Sequence, residues 1–169
     1  MPELMIKKFP DPFLRKKASK VLKVTAQEKE ILSEMARVMY LSQGVGLAAL
    51  QVGINKQLAV IDVGNGLFKL VNPVIIKREG REVLEEGCLS VPGINVKVGR
   101  AKSVTVNFMD EDGNVRQFHA DGLLARALQH ELDHLAGILI VDYLNPVKKI
   151  LLKRALGKKR KNRKLSLSP

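Results

Sequence analysis

The segment His130-Glu131-Leu132-Asp133-His134 sets two imidazoles four residues apart, with a carboxylate beside the first. On a helix, residues i and i+4 share a face, so both rings can hold one metal ion between them. Glu131 would then reach a water on that ion and serve as its general base. Only three histidines occur in 169 residues, so composition alone seldom yields this pattern. A catalytic ion needs a third protein ligand and an open position. His119 is one candidate and Cys88 the better one, because a thiolate is a strong donor for Fe(II) or Zn(II). Cys88 sits in Glu85-Glu86-Gly87-Cys88-Leu89-Ser90, read as an extended segment that could cross the helix. Gly44-Val45-Gly46-Leu47-Ala48-Ala49-Leu50-Gln51 is built of small residues that let backbone approach a ligand closely. It lacks the lysine and hydroxyl residue of a phosphate loop. Gln51 could donate an amide N–H to a developing oxyanion, although such a residue is ordinarily a surface glutamine.

Elements able to position these residues are legible in the pattern. Thr25 and Glu28 form a capping box that opens a helix to about Leu41, with Ile31, Leu32, Met35, Val38 and Met39 on one face. Leu58–Val63 and Leu67–Ile76 read as strands joined by an Asn65-Gly66 hairpin turn. Glu82–Ser90 and Ile94–Val98 read as extended around Pro92-Gly93, and residues 104–108 and 115–119 as a second hairpin. Asp121 is placed to cap a helix to about Leu135, with Leu124, Leu128, Leu132 and Leu135 as its apolar stripe and Gly137 to end it. Ile138–Val141 reads as a short strand, and Asn145-Pro146 as the start of a last helix. The expected fold class is α+β: mixed, mainly antiparallel β-sheets around a central metal-binding helix, with a C-terminal helix.

The net charge of +12 is unevenly spread. Residues 145–169 hold ten Lys/Arg and no acid, leaving the first 144 residues a net charge of +2. A near-neutral body (residues 1–146, the catalytic domain) is therefore expected to carry a basic helix and tail (147–169) suited to a polyanion. A single cysteine excludes an intramolecular disulfide and fits a reducing compartment. Met1–Pro10 has no secretory pattern, and no run of about 18 apolar residues exists, so a cytoplasmic location without a membrane span is expected.

Together, Gly44–Gln51 (GVGLAALQ), Glu86–Ser90 (EGCLS) and Gln129–Gly137 (QHELDHLAG) resemble the peptide deformylase family, as does the opening Phe9–Arg15 segment; the resemblance runs over about residues 3–150. It implies removal of the N-formyl group from N-formylmethionyl nascent polypeptides, with release of formate. By the same resemblance, Cys88, His130 and His134 bind one divalent metal, Fe(II) by family habit, with Zn(II), Ni(II) or Co(II) as alternatives. Metal-bound hydroxide would attack the formyl carbon with Glu131 as general base and then acid, while Gln51 and the Leu89 N–H stabilise the oxyanion. The peptide would lie against the backbone at Gly44–Leu47, Gly46 included, as an added strand. The methionine pocket is expected from Val45, Leu84, Glu86, Leu123, Arg126 and Ala127. Arg126 replaces an apolar residue of some relatives and should lend its aliphatic stem. Asn95 stands where some relatives place a peptide-contacting arginine. Relatives with a C-terminal helix dock it on the ribosome, which makes ribosomal RNA the expected partner of the tail.

Two other classes share parts of this pattern. His-Glu-x-x-His alone also fits a zinc metalloprotease, but EGCLS and GVGLAALQ are foreign to common zincins. A nucleic-acid-binding protein with a structural metal would need a fourth protein ligand, for which only His119 remains. A relative that has lost catalysis would not be expected to keep Glu131, Gln51 and all three ligands.

Overall fold

The computed structural model describes residues 3–152 and 154. The basic residues from 155 onward, and with them most of the tail, lie outside the described residues. A last helix does begin where the Asn145-Pro146 signal places it: residues 146–152 are helical, and the Asn145 side chain accepts from the Lys148 N–H at 2.8 Å.

Strand β2 (Leu58–Ile61) explains the layering. All four residues are buried, and alternate side chains leave opposite faces of the sheet. Leu58 and Val60 join the cluster made with α1 (Ala26–Leu41), through Ile31, Leu32, Met35 and Met39. Ala59 and Ile61 join the cluster made with α2 (Gly122–Leu135), through Ala125 and Leu128. The sheet is thus sandwiched between two helices. Its order is β1-β2-β3-β6-β7, with β1 at Gly46–Ala48, β3 at Phe68–Glu79, β6 at Ser103–Met109 and β7 at Val115–Asp121. A second sheet pairs β4 (Glu82–Glu86) with β5 (Val96–Arg100). Every pairing among the described residues is antiparallel.

The capping box at Thr25 and Glu28 is present, and the expected apolar face of α1 is the buried one. Three local expectations are corrected. Ile138–Val141 is not a strand; Ile140–Tyr143 forms a 3-10 turn whose Asp142 side chain accepts from the Leu139 N–H at 2.9 Å. Asp121 stands at the N-cap of α2, but its side chain makes no capping bond. Asn65-Gly66 is not a two-residue turn, because β2 and β3 pair from Ile61 and Phe68 outward, leaving a six-residue connection, 62–67. At the far end of α2, Gly137 has φ +76°, and a Cβ there would lie 2.6 Å from the Arg15 carbonyl oxygen. Only glycine meets both demands.

Candidate metal centre

Helix α2 is buried on more than its apolar stripe: Arg126, Gln129, Glu131 and His134 are also buried. Buried polar groups need partners, and those partners form the site. The Sγ of Cys88 lies 3.2 Å from His134 Nε2, which lies 3.2 Å from His130 Nε2, and all three donor atoms fall within 4.8 Å of one another. Helical spacing supplies the two imidazoles, and the segment following β4 carries the thiol to them. His119 stays apart on β7, beside Thr105 at 3.4 Å, and is not one of the clustered donors.

The supporting layer is ordered by charge. His130 Nδ1 meets Glu86 Oε2 at 3.0 Å, so the ring donates there and turns the lone pair of Nε2 toward the thiol. The Glu86 carboxylate also accepts from Arg100 (Nε 2.8 Å, Nη2 2.9 Å) and from Arg126 Nη1 at 2.7 Å. Burial alone would raise its pKa, yet bonds from His130 and the two guanidiniums hold it at about 2. Arg100 continues to Asp133 at 2.6 Å, and the Tyr143 hydroxyl donates to the same Asp133 oxygen at 2.7 Å.

Glu131 is the opposite case. It is 3% exposed, its Oε2 has no hydrogen-bond partner among the described residues, and burial pushes its carboxyl up to about 7 against the nearby positive charges. Gly46 is its neighbour: a Cβ there would sit 2.3 Å from Glu131 Oε1. Gln51 is fixed by its own backbone, since the Ala48 N–H donates to Oε1 at 2.8 Å. Its Nε2 then donates to Ser90 Oγ at 3.2 Å and points at Cys88 Sγ, 3.7 Å away. The Leu89 N–H makes no hydrogen bond among the described residues.

These groups surround a cavity of about 420 Å³ lined by Gly44, Val45, Gly46, Gln51, Glu86, Cys88, Leu89, Leu123, Arg126, Ala127, His130 and Glu131, among others. Val45 and Leu123 are exposed apolar side chains on its wall. Strand β1 forms one side and, among the described residues, pairs with β2 alone, leaving its outer edge without a strand there.

The comparisons with known proteins agree with this geometry. The family model described as polypeptide deformylase matches residues 3–150. The chain belongs to the polypeptide deformylase family. A peptide deformylase of Caldanaerobacter subterraneus subsp. tengcongensis is 52% identical over 81% of this chain and 86% of its own length. Peptide deformylase 2 of Xanthomonas axonopodis pv. citri is 46% identical over 94% of this chain and 97% of its own. The crystal structure of a peptide deformylase from Legionella pneumophila superposes with a TM-score of 0.87 at 40% identity, covering 98% of this chain and 99% of that one. The deformylase fold of these neighbours is the expected α+β arrangement, and the chain is accordingly a hydrolase of a metal-dependent family. No described helix is long and apolar enough to cross a membrane.

One residue of the expected methionine pocket lies outside the cavity lining. Leu84 on β4 is 47% exposed and is not among the residues lining the cavity. Arg126 lines the cavity, but its guanidinium is committed to Glu86 and to the Glu82 and Val98 carbonyls at 3.2 Å each. Asn95 lies outside the cavity, against Gly87. No short-range spacing in the sequence points to roles for Arg100, Ser90 or the Asp133–Tyr143 pair. Arg100 stands opposite Glu82 in the β4–β5 register, so no simple spacing rule links it to Glu86.

Proposed function

We propose that the protein removes the N-formyl group from N-formylmethionyl nascent polypeptides, releasing formate and a free amine, with Fe(II) as the working metal. The carrying observation is a buried Glu131, its Oε2 without a hydrogen-bond partner among the described residues, next to a Cys-His-His donor set at the end of a peptide-sized cavity. The donors fit a divalent ion: one thiol and two imidazole Nε2 atoms converge, and Glu86 fixes the tautomer of His130. Such an ion would supply Lewis acidity, making water a nucleophile near neutral pH.

The protein's own groups do the rest. Glu131 takes a proton from the attacking water at its free Oε2 and returns it to the departing amine nitrogen as the C–N bond breaks. A carboxyl held near 7 by burial is matched to both transfers. Gln51 Nε2 and the Leu89 N–H are donors for the formyl oxygen as it gains charge. Each such donor is worth about 3 kcal/mol in the transition state. The outer edge of β1 at Gly46 pairs with the peptide backbone, which leaves later side chains weakly discriminated. Val45, Leu123, Ala127 and the stem of Arg126 hold the methionine side chain. Residues 1–146 act as the catalytic domain, and the basic segment from 147 contacts ribosomal RNA in the cytoplasm, where such chains emerge.

The test is formate release from formyl-Met-Ala-Ser by protein loaded anaerobically with Fe(II), beside Glu131→Ala. Release by the parent and its loss in the variant is expected. Folded, metal-loaded protein that releases no formate would overturn the proposal.

A further inference from the structure

A second concave surface lies away from the metal donors. It is a groove of about 650 Å³ on the other flank of α2, walled by Gln129, Leu132 and Asp133. Along β3, Val71 and Pro73 are buried while Val74 and Ile76 face outward at 55% and 51% exposure, and Val74 lines the groove. The rim carries Lys17, Arg78 and Arg81, all exposed. None of the three has a carboxylate within 4.0 Å among the described residues. The single acid of the lining, Asp133, is already engaged by Arg100 and Tyr143.

Of eleven other exposed cations on the body, six (Lys8, Lys16, Lys20, Lys23, Lys97 and Lys102) likewise have no carboxylate within 4.0 Å among the described residues, and five do. Arg15, Lys29, Arg37, Lys77 and Arg116 each face a carboxylate within 4.0 Å. A body of net charge +2 thus leaves unpaired positive charge beside a concave surface. Tyr143, which lines the groove, is three residues before the helical stretch that leads into the basic tail. We propose that this groove is an RNA-binding surface, in which Lys17, Arg78 and Arg81 bind backbone phosphates and extend the tail's contact onto the catalytic body.

The assignment to nucleic acid rests on charge complementarity and on the side chains offered. Arginine forks match phosphate oxygens in bidentate geometry. Tyr143 is the one aromatic of the lining and already has the Arg100 guanidinium 5.3 Å from its ring centre, so base stacking contributes little. Recognition is therefore of the backbone, tolerant of sequence and steeply dependent on salt. It does not depend on the catalytic reading, because none of the three cations touches the metal donors.

The experiment uses the full, metal-loaded chain and a fluorescent 20-base-pair RNA hairpin, with Kd followed by anisotropy from 50 to 300 mM salt. Arg78→Gln/Arg81→Gln is compared with Lys29→Gln/Arg116→Gln, which removes equal charge at the distant end of β6. The groove variant should lower the slope of log K against log salt by about two and weaken binding by about 50-fold at 0.1 M salt. Its formate release from a short formyl peptide should match the parent. Equal losses in the two variants would overturn the proposal, leaving RNA affinity to the tail and to overall charge. Competition by polyglutamate as effective as that by unlabelled RNA would also overturn it, by marking the groove as a site for acidic protein.

Discussion

Replacing Gly46 by alanine tests whether Glu131 must sit where it does. Gly46 has no positive φ, so its backbone accepts alanine without strain, and loss of a flexible glycine from a strand stabilises by about 0.5–1 kcal/mol. The obstacle is steric: the new Cβ would lie 2.3 Å from Glu131 Oε1, 2.9 Å from Cδ and 3.0 Å from Cγ. Ordinary contact needs about 3.5 Å, so the carboxylate must retreat by roughly 1 Å. A catalytic group displaced that far loses about 100-fold in rate, or about 2.7 kcal/mol of transition-state stabilisation. The metal donors are untouched. The expectation is a 100-fold fall in kcat for formate release, with metal content and the urea midpoint close to the parent's. Gly44→Ala is the comparison, because its Cβ would crowd only the Leu89 side chain, whose Cδ1 at 2.7 Å can swing away, while the Met39 carbonyl oxygen at 3.5 Å is in ordinary contact. Wild-type kcat in a folded Gly46→Ala protein would refute the reasoning, since Glu131 would then work from a displaced position.

Glu86→Gln should weaken metal affinity 10- to 100-fold in chelator competition, because His130 loses the carboxylate that orients it. It should also lower the urea midpoint, as two buried guanidiniums lose their shared counter-charge. Gln51→Ala is expected to cut kcat by 10²–10³ with a smaller change in KM, as steady-state kinetics would show, because its donor acts on charge that develops only in the transition state. Glu28 should shape acid stability. Although burial opposes ionisation, bonds from Lys56 and Thr25 hold its folded pKa at about 2, so its contribution is complete above about pH 4.5 and is lost as pH falls through 2. Urea titrations with chelator present throughout should therefore find Glu28→Gln about 1–2 kcal/mol less stable than the parent at pH 5, and the gap should close toward pH 2. Stripping the ion by dialysis against a chelator should lower Tm, because the clustered donors bind metal only in the folded chain.

Features that depend on short separations along the chain are legible in the sequence without the fold. His130 and His134 share a face because a helix repeats every 3.6 residues, and Thr25 with Glu28 caps α1 because three residues bridge one turn. The choice of Cys88 over His119 was already favoured there by thiolate chemistry, and the fold brings Cys88 to the imidazoles. Other features needed the tertiary structure because they join residues remote in sequence, for which no periodic rule exists. Arg100 reaches Glu86 across a hairpin in which they are not opposite, and Gly46 clears space for a carboxylate 85 positions later. The same holds for Arg126, whose charge the sequence displayed but whose destination is set by Glu86 and two strand carbonyls. The groove behind α2 follows suit: its cations come from separated segments, and only packing brings them to one rim without acids to neutralise them. Local periodicity fixes which face a side chain takes, whereas the burial and counter-charge that make it reactive are properties of the folded whole.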